Sequence, residues 1–133
     1  MEKMKISGLL FLFAILVGFT SCDPDPYFPE DPDYWLCNNV WVDDFAVDSN
    51  TDCYQELVFY PNGRGVDRRE YYYYWENETE RVVFNFYWSW DPSLPNSLIM
   101  EYPDGDSYFD NVRITQYQLS GVLDGERVIF DAK

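Results

Sequence analysis

The stretch Tyr54-Gln-Glu-Leu-Val-Phe-Tyr60, then Pro61-Asn62-Gly63, then Arg64-Gly65-Val66 and on to Tyr71-Tyr-Tyr-Tyr-Trp75, decides the fold. Two β-rich runs flank one turn. Pro61 presets φ for the second position of a type I turn, and Gly63 accepts the left-handed conformation that ends it. The same punctuation returns as Tyr102-Pro103-Asp104-Gly105 and, in shorter form, as Leu123-Asp124-Gly125. Each turn folds the chain back on itself, so the sequence is sorted into hairpins.

Working outward, a strand is expected around Val40–Phe45, followed by the turn cluster Asp48-Ser-Asn-Thr-Asp52. Beyond Trp75, Glu76-Asn77-Glu78 turns the chain again, and a fourth strand runs from Glu80 to Trp90. Its alternation is the cleanest in the chain. Val82, Phe84, Phe86, Trp88 and Trp90 share one face, opposed by Val83, Asn85, Tyr87 and Ser89. After the loop Asp91–Asn96, four more strands are expected at Leu98–Tyr102, Ser107–Thr115, Tyr117–Leu123 and Arg127–Asp131. No segment after residue 22 reads as a helix. Short connections make strands that follow one another antiparallel neighbours. The expected fold is therefore all-β: an eight-stranded antiparallel up-and-down barrel, which removes the exposed edges of an open meander. A sandwich of two four-stranded sheets is the alternative.

The N-terminus reads differently. Met1–Lys5 is a basic region, and Ile6–Val17 is apolar but, at about 12 residues, short for a membrane span. This is the pattern of a signal peptide over residues 1–21. Its end, Phe19-Thr20-Ser21-Cys22, resembles the lipobox of bacterial lipoproteins. The resemblance implies that Cys22 is lipidated and becomes the mature N-terminus, so that the membrane is reached through acyl chains. Ordinary secretion, with Cys22 as an incidental thiol, is the alternative.

Residues 22–33 form an acidic linker with prolines at 24, 26, 29 and 32. Those prolines oppose helix and ladder pairing and favour an extended spacer. At about 3.1 Å per residue it spans roughly 30 Å. The acids behind Cys22 resemble the surface-export signal of Bacteroidetes lipoproteins. The expected place is thus the bacterial envelope, at the outer membrane, with the cell surface as the finer reading; inner-membrane retention, with which an aspartate directly after the cysteine is associated in other bacteria, and a plain solvated linker are the competing readings.

The domain from residue 34 to 133 carries Trp41-Val-Asp-Asp, Cys53-Tyr-Gln-Glu-Leu-Val-Phe-Tyr-Pro-Asn-Gly-Arg-Gly65, Phe86-Tyr-Trp-Ser-Trp90 and Leu119-Ser-Gly-Val-Leu-Asp-Gly125. Together these resemble the small lipocalin-like lipoproteins of Bacteroidetes, from about Trp35 to Phe130. The resemblance implies the barrel and its turns and brings no activity with it. Asn39-Val40-Trp41 stands where larger lipocalins have G-x-W.

Composition narrows the chemistry. The formal charge is −15, and removing Lys3, Lys5 and Glu2 with the signal segment makes it one unit more negative. Such a domain is repelled by nucleic acid, and no basic patch assists membrane attachment. The chain has no histidine, which removes the commonest general base and metal ligand. Cys37 and Cys53 lack the spacing of a zinc site, and Asp104-Gly105-Asp106 fits a turn better than a calcium loop. Acid pairs such as Asp43/Asp44, Glu76/Glu78 and Asp104/Asp106 read as turn and surface groups. No catalytic residue, cofactor or metal is expected, and the expected state is a monomer. Export permits a Cys37–Cys53 disulfide, whereas a simple first hairpin places the two thiols near opposite ends; both readings stand.

Two binding surfaces follow from the aromatic load. Phe84, Phe86, Trp88 and Trp90, if they face inward, would line a site for a small hydrophobic ligand or lipid; a core filled by the same rings is the alternative. Tyr71, Tyr72, Tyr73 and Tyr74 cannot all hide on one face. Their outward rings would serve a protein or glycan partner or simply lie on the outer wall.

Overall fold

Pro61-Asn62-Gly63 does close a hairpin: the Tyr60 N–H donates to the Arg64 carbonyl at 2.8 Å, and Gly63 sits at φ 86°. The computed structural model describes residues 31–133; the expected signal segment, Cys22 and the linker as far as residue 30 lie outside the described residues. Eight strands follow in chain order: β1 (Val40–Asp48), β2 (Thr51–Phe59), β3 (Arg64–Tyr73), β4 (Glu78–Trp90), β5 (Leu98–Tyr102), β6 (Gly105–Ile114), β7 (Gln118–Leu123) and β8 (Glu126–Ala132). Each is antiparallel to the next. β1 closes on β8 through Trp41↔Ala132 and Val42↔Asp131, so the sheet is a closed up-and-down barrel and not a sandwich. The first turn is tighter than the cluster Asp48–Asp52 suggests. Asp48 already pairs with Thr51, leaving Ser49 and Asn50 to reverse the chain.

One expectation is corrected. A short helix, α1 (Pro32–Cys37), precedes β1, where no helix was expected and where the linker was to remain extended through Asp33. The reason is positional. Proline is unfavourable inside a helix but tolerated in its first turn, where its missing N–H would be unpaired anyway. Asp31 caps that turn by accepting the Tyr34 N–H at 3.2 Å.

α1 seals one end of the barrel. Leu36 is fully buried, its carbonyl accepts the Trp41 indole N–H at 3.0 Å, and Asp33 accepts that of Trp90 at 2.6 Å. Above this plug lie Leu57, Phe59, Phe86, Met100, Phe109 and Phe130, all buried. Phe59 meets Phe86 and Trp88 edge-on at 5.5 and 5.9 Å. Gly65 makes room for the Phe86 ring: a Cβ there would stand 2.3 Å from a ring carbon. Burying a ring of this size contributes about 1.5–3 kcal/mol.

The far end is built differently. β1 to β4 contain 9, 9, 10 and 13 residues, while β5, β7 and β8 contain 5, 6 and 7. The longer strands overhang, and β1 leaves β8 after Val42. A side opening results. The two described thiols are free: Cys37 lies in α1 at the sealed end, and Cys53 lies on β2, paired with Phe45 and Tyr71 toward the open end.

Candidate functional site in the open end of the barrel

The open end holds a polar cluster that the apolar interior does not otherwise tolerate. Asp67 on β3 is completely buried. Its carboxylate accepts Arg69 Nε at 3.1 Å and an Arg69 terminal N–H at 2.9 Å, a two-pronged ion pair. Gln55 Nε2 donates to both carboxylate oxygens at 3.1 and 3.2 Å, and the Tyr102 hydroxyl donates at 2.8 Å. The Arg69 guanidinium also donates to the Tyr71 hydroxyl at 3.4 Å and lies 4.8 Å from the centre of the Phe84 ring. Its bonds to Asp67 raise the Arg69 pKa further, so it stays charged. Burial, then the neighbouring Asp67, pushes the Tyr102 phenol up and keeps it a donor.

Strand alternation explains how these residues meet. The turn at Pro61–Gly63 sets the β2–β3 register, which pairs Leu57 with Asp67 and Gln55 with Arg69. The face that carries Phe59 and Gly65 therefore carries Gln55, Asp67, Arg69 and Tyr71 further up.

Where β1 and β8 part, a cleft of about 570 Å³ opens onto this cluster. Phe45, Ala46, Leu123 and Val128 line it with apolar surface; Asp43, Gln55, Arg69, Asp124, Glu126 and Arg127 supply polar groups. The volume falls within the range of small-molecule sites, about 300–1,000 Å³. A smaller recess of about 150 Å³ lies beside Arg69 and is lined by Phe84, Tyr102, Asp104 and Ser107. Asp43 accepts one hydrogen bond, from the Asp44 N–H at 2.9 Å. Burial raises its pKa despite that bond, and the nearby Asp131 and Asp44 add to the rise.

The residues singled out in the sequence are distributed along the whole barrel. Phe86 and Trp88 are buried in the packed core, and Trp88 donates its indole N–H to the Tyr60 carbonyl at 2.9 Å. Trp90 belongs to the sealed end, against Asp33. Phe84 lines the recess beside Arg69. Of the tyrosines, Tyr71 and Tyr73 share the inner face of β3, while the outward Tyr72 and Tyr74 pack edge to face at 4.9 Å. Their hydroxyls are engaged locally: Tyr72 with Asn77, Tyr73 with Glu80 and Tyr74 with Asp52. Tyr74 is half exposed, and neighbouring Trp75 is 82% exposed.

Asp67, Arg69 and Gln55 were missed in the sequence. Arg64–Glu70 reads as a solvated charged run, and only counting alternate residues back from Gly65 would have turned Asp67 and Arg69 inward. Among the described residues no group of three acidic, cysteine or histidine side chains gathers as metal ligands. No family model, no curated protein and no solved structure matches this chain.

Proposed function

We propose that this chain is a lipid-anchored envelope protein, held through Cys22 at the outer membrane, whose barrel binds a small amphipathic molecule in the cleft between β1 and β8. Binding occurs without catalysis. The observation that carries the reading is the cleft itself, where apolar walls from Phe45, Leu123 and Val128 meet a buried polar cluster at Arg69 and Gln55. An apolar chain gains by leaving water along those walls, while a polar head finds fixed partners deeper in. Phe86 and Trp88 belong to the packed core and do not line this cleft.

The test is native mass spectrometry of the chain exported without lipid as the Cys22→Ser variant and purified from a bacterial envelope. A bound mass that is lost on denaturation, and lost again in Phe45→Asp, is the expected result. A ligand-free protein whose Phe45→Asp variant behaves identically in every binding assay overturns the reading.

Trp75 favours a second reading, a protein or glycan contact at the β3–β4 turn, because a side chain so exposed has little packing role. Trp75→Ala would then abolish partner capture and leave small-molecule binding intact.

A further inference from the structure

The cleft contains an arginine, and an arginine inside a barrel suggests a carboxylate ligand such as a fatty acid. The surroundings of Arg69 argue against that. Its charge is already matched by Asp67, which has no exposed surface and no other cation paired with it among the described residues. With that pair neutral, the charges left around the cleft are Asp43, Asp124 and Glu126 against Arg127. An anion entering here meets a net negative rim on a chain whose overall charge is −15.

Hydrogen-bond polarity points the same way, independently of charge. Gln55 is only 7% exposed and lines the cleft. Its Nε2 is committed to both oxygens of Asp67, which fixes the amide orientation. Its Oε1 receives no hydrogen bond from any described residue, an unusual state for a buried acceptor. The half-buried Asp43 likewise takes only the Asp44 N–H and pairs with no cation among the described residues. Gln55 Oε1 and the Asp43 carboxylate are thus acceptors in want of a donor, whereas the donors lining the cleft are those of Arg69, turned to Asp67 and Tyr71, and of Arg127 on the rim.

We infer that the ligand of this cleft is a cationic amphiphile, a protonated amine on an apolar chain, and not a fatty acid; this rests on the reading of the cleft as a small-molecule site. The ammonium group donates to Gln55 Oε1 and the Asp43 carboxylate, and the chain lies along Phe45, Leu123 and Val128. A hydroxyl head supplies one donor without charge. A carboxylate head supplies none.

The test compares dodecylammonium, dodecanol and dodecanoate by isothermal titration at pH 7, below the micelle concentrations of the two ions and the solubility limit of the alcohol, on the full chain carrying Cys22→Ser. The expected order is ammonium first, alcohol second and carboxylate last, with about tenfold or more between the ends. Asp43→Asn removes most of the ammonium preference and leaves dodecanol affinity unchanged. Glu126→Gln, on the exposed rim, weakens the preference in the same direction and serves if Asp43→Asn does not fold. Dodecanoate binding as well as or better than dodecylammonium overturns the inference and leaves the small-molecule reading standing. So does an ammonium preference that both variants leave untouched, which marks adsorption to the acidic surface. Failure of all three probes to bind overturns the reading and the inference together.

Discussion

Asp67 shows how one buried charge can be kept in a barrel of aromatic rings. It accepts from Arg69, Gln55 and Tyr102, so each carboxylate oxygen is satisfied without water. Breaking such a pair leaves an uncompensated charge and costs about 3–5 kcal/mol, whereas replacing both members by apolar groups is often near neutral. Arg69→Leu should therefore lower the unfolding free energy by about that amount, and Asp67→Leu combined with Arg69→Leu should recover most of the loss. Urea denaturation of the three proteins decides it; equal losses in the single and double variants would contradict the account. Asp43 makes the opposite case. Its raised pKa means that the folded chain disfavours the carboxylate, so Asp43 costs stability once pH rises above the ordinary aspartate range. Asp43→Asn should raise the unfolding free energy slightly at pH 7, by about 0.5 kcal/mol or less, and lose that advantage near pH 3. A variant less stable at pH 7 would show that Asp43 is structural.

At the scale of elements, α1 and the departure of β1 from β8 make the two ends unlike. α1 plugs one end with Leu36 and brings Cys37 under the influence of Asp33 and Asp31. Burial first, then those two carboxylates, pushes the Cys37 thiol up to about 11 from an ordinary 9.0. An acid whose pKa is raised on folding binds its proton more tightly in the native state. Its contribution to stability is complete below the unfolded pKa of 9.0 and is lost as pH climbs to about 11. The urea midpoint should fall across that window, and Cys37→Ala should fall less. Parallel declines in the two proteins would remove Cys37 from the explanation. At the other end β1 continues beyond Val42 without a ladder to β8. Alternation from Val40, whose carbonyl takes the Lys133 N–H, turns the Asp44 N–H to the same open side, and the Asp43 carboxylate covers it. Asp44 and Asp48 place charge along the edge, a common guard against strand-to-strand association.

For the whole molecule the dominant feature is a charge of −15 on a chain of 133 residues. Self-repulsion of that size opposes the compact state and is screened by salt. The melting temperature should therefore rise between about 0.01 and 0.5 M sodium chloride, where the Debye length shrinks from about 30 Å to a few Å. A flat or falling curve would mean that the surface ion pairs, such as Lys133 with Glu56 at 2.7 Å, outweigh the repulsion. Strand number, order and the closed barrel were legible in the sequence because turn residues act locally: Pro61, Gly63, Gly105 and Gly125 each reverse the chain through their own φ preferences. Which residues share a face of β4 was legible for a similar reason, since alternation needs no knowledge of the partner strand, though not which face turns inward. Three features needed the tertiary structure. Asp31 and Pro32 start a helix only because the barrel offers Leu36 a covered end, and propensity alone does not make six residues helical. The depth at which Phe84, Phe86, Trp88 and Trp90 lie depends on where the barrel is sealed. The cleft with its Asp67–Arg69 cluster exists because the ladder between β1 and β8 stops at Val42. Closure itself was expected, but how far the first strand pairs with the last depends on contacts between chain positions so far apart that they leave no mark in local sequence.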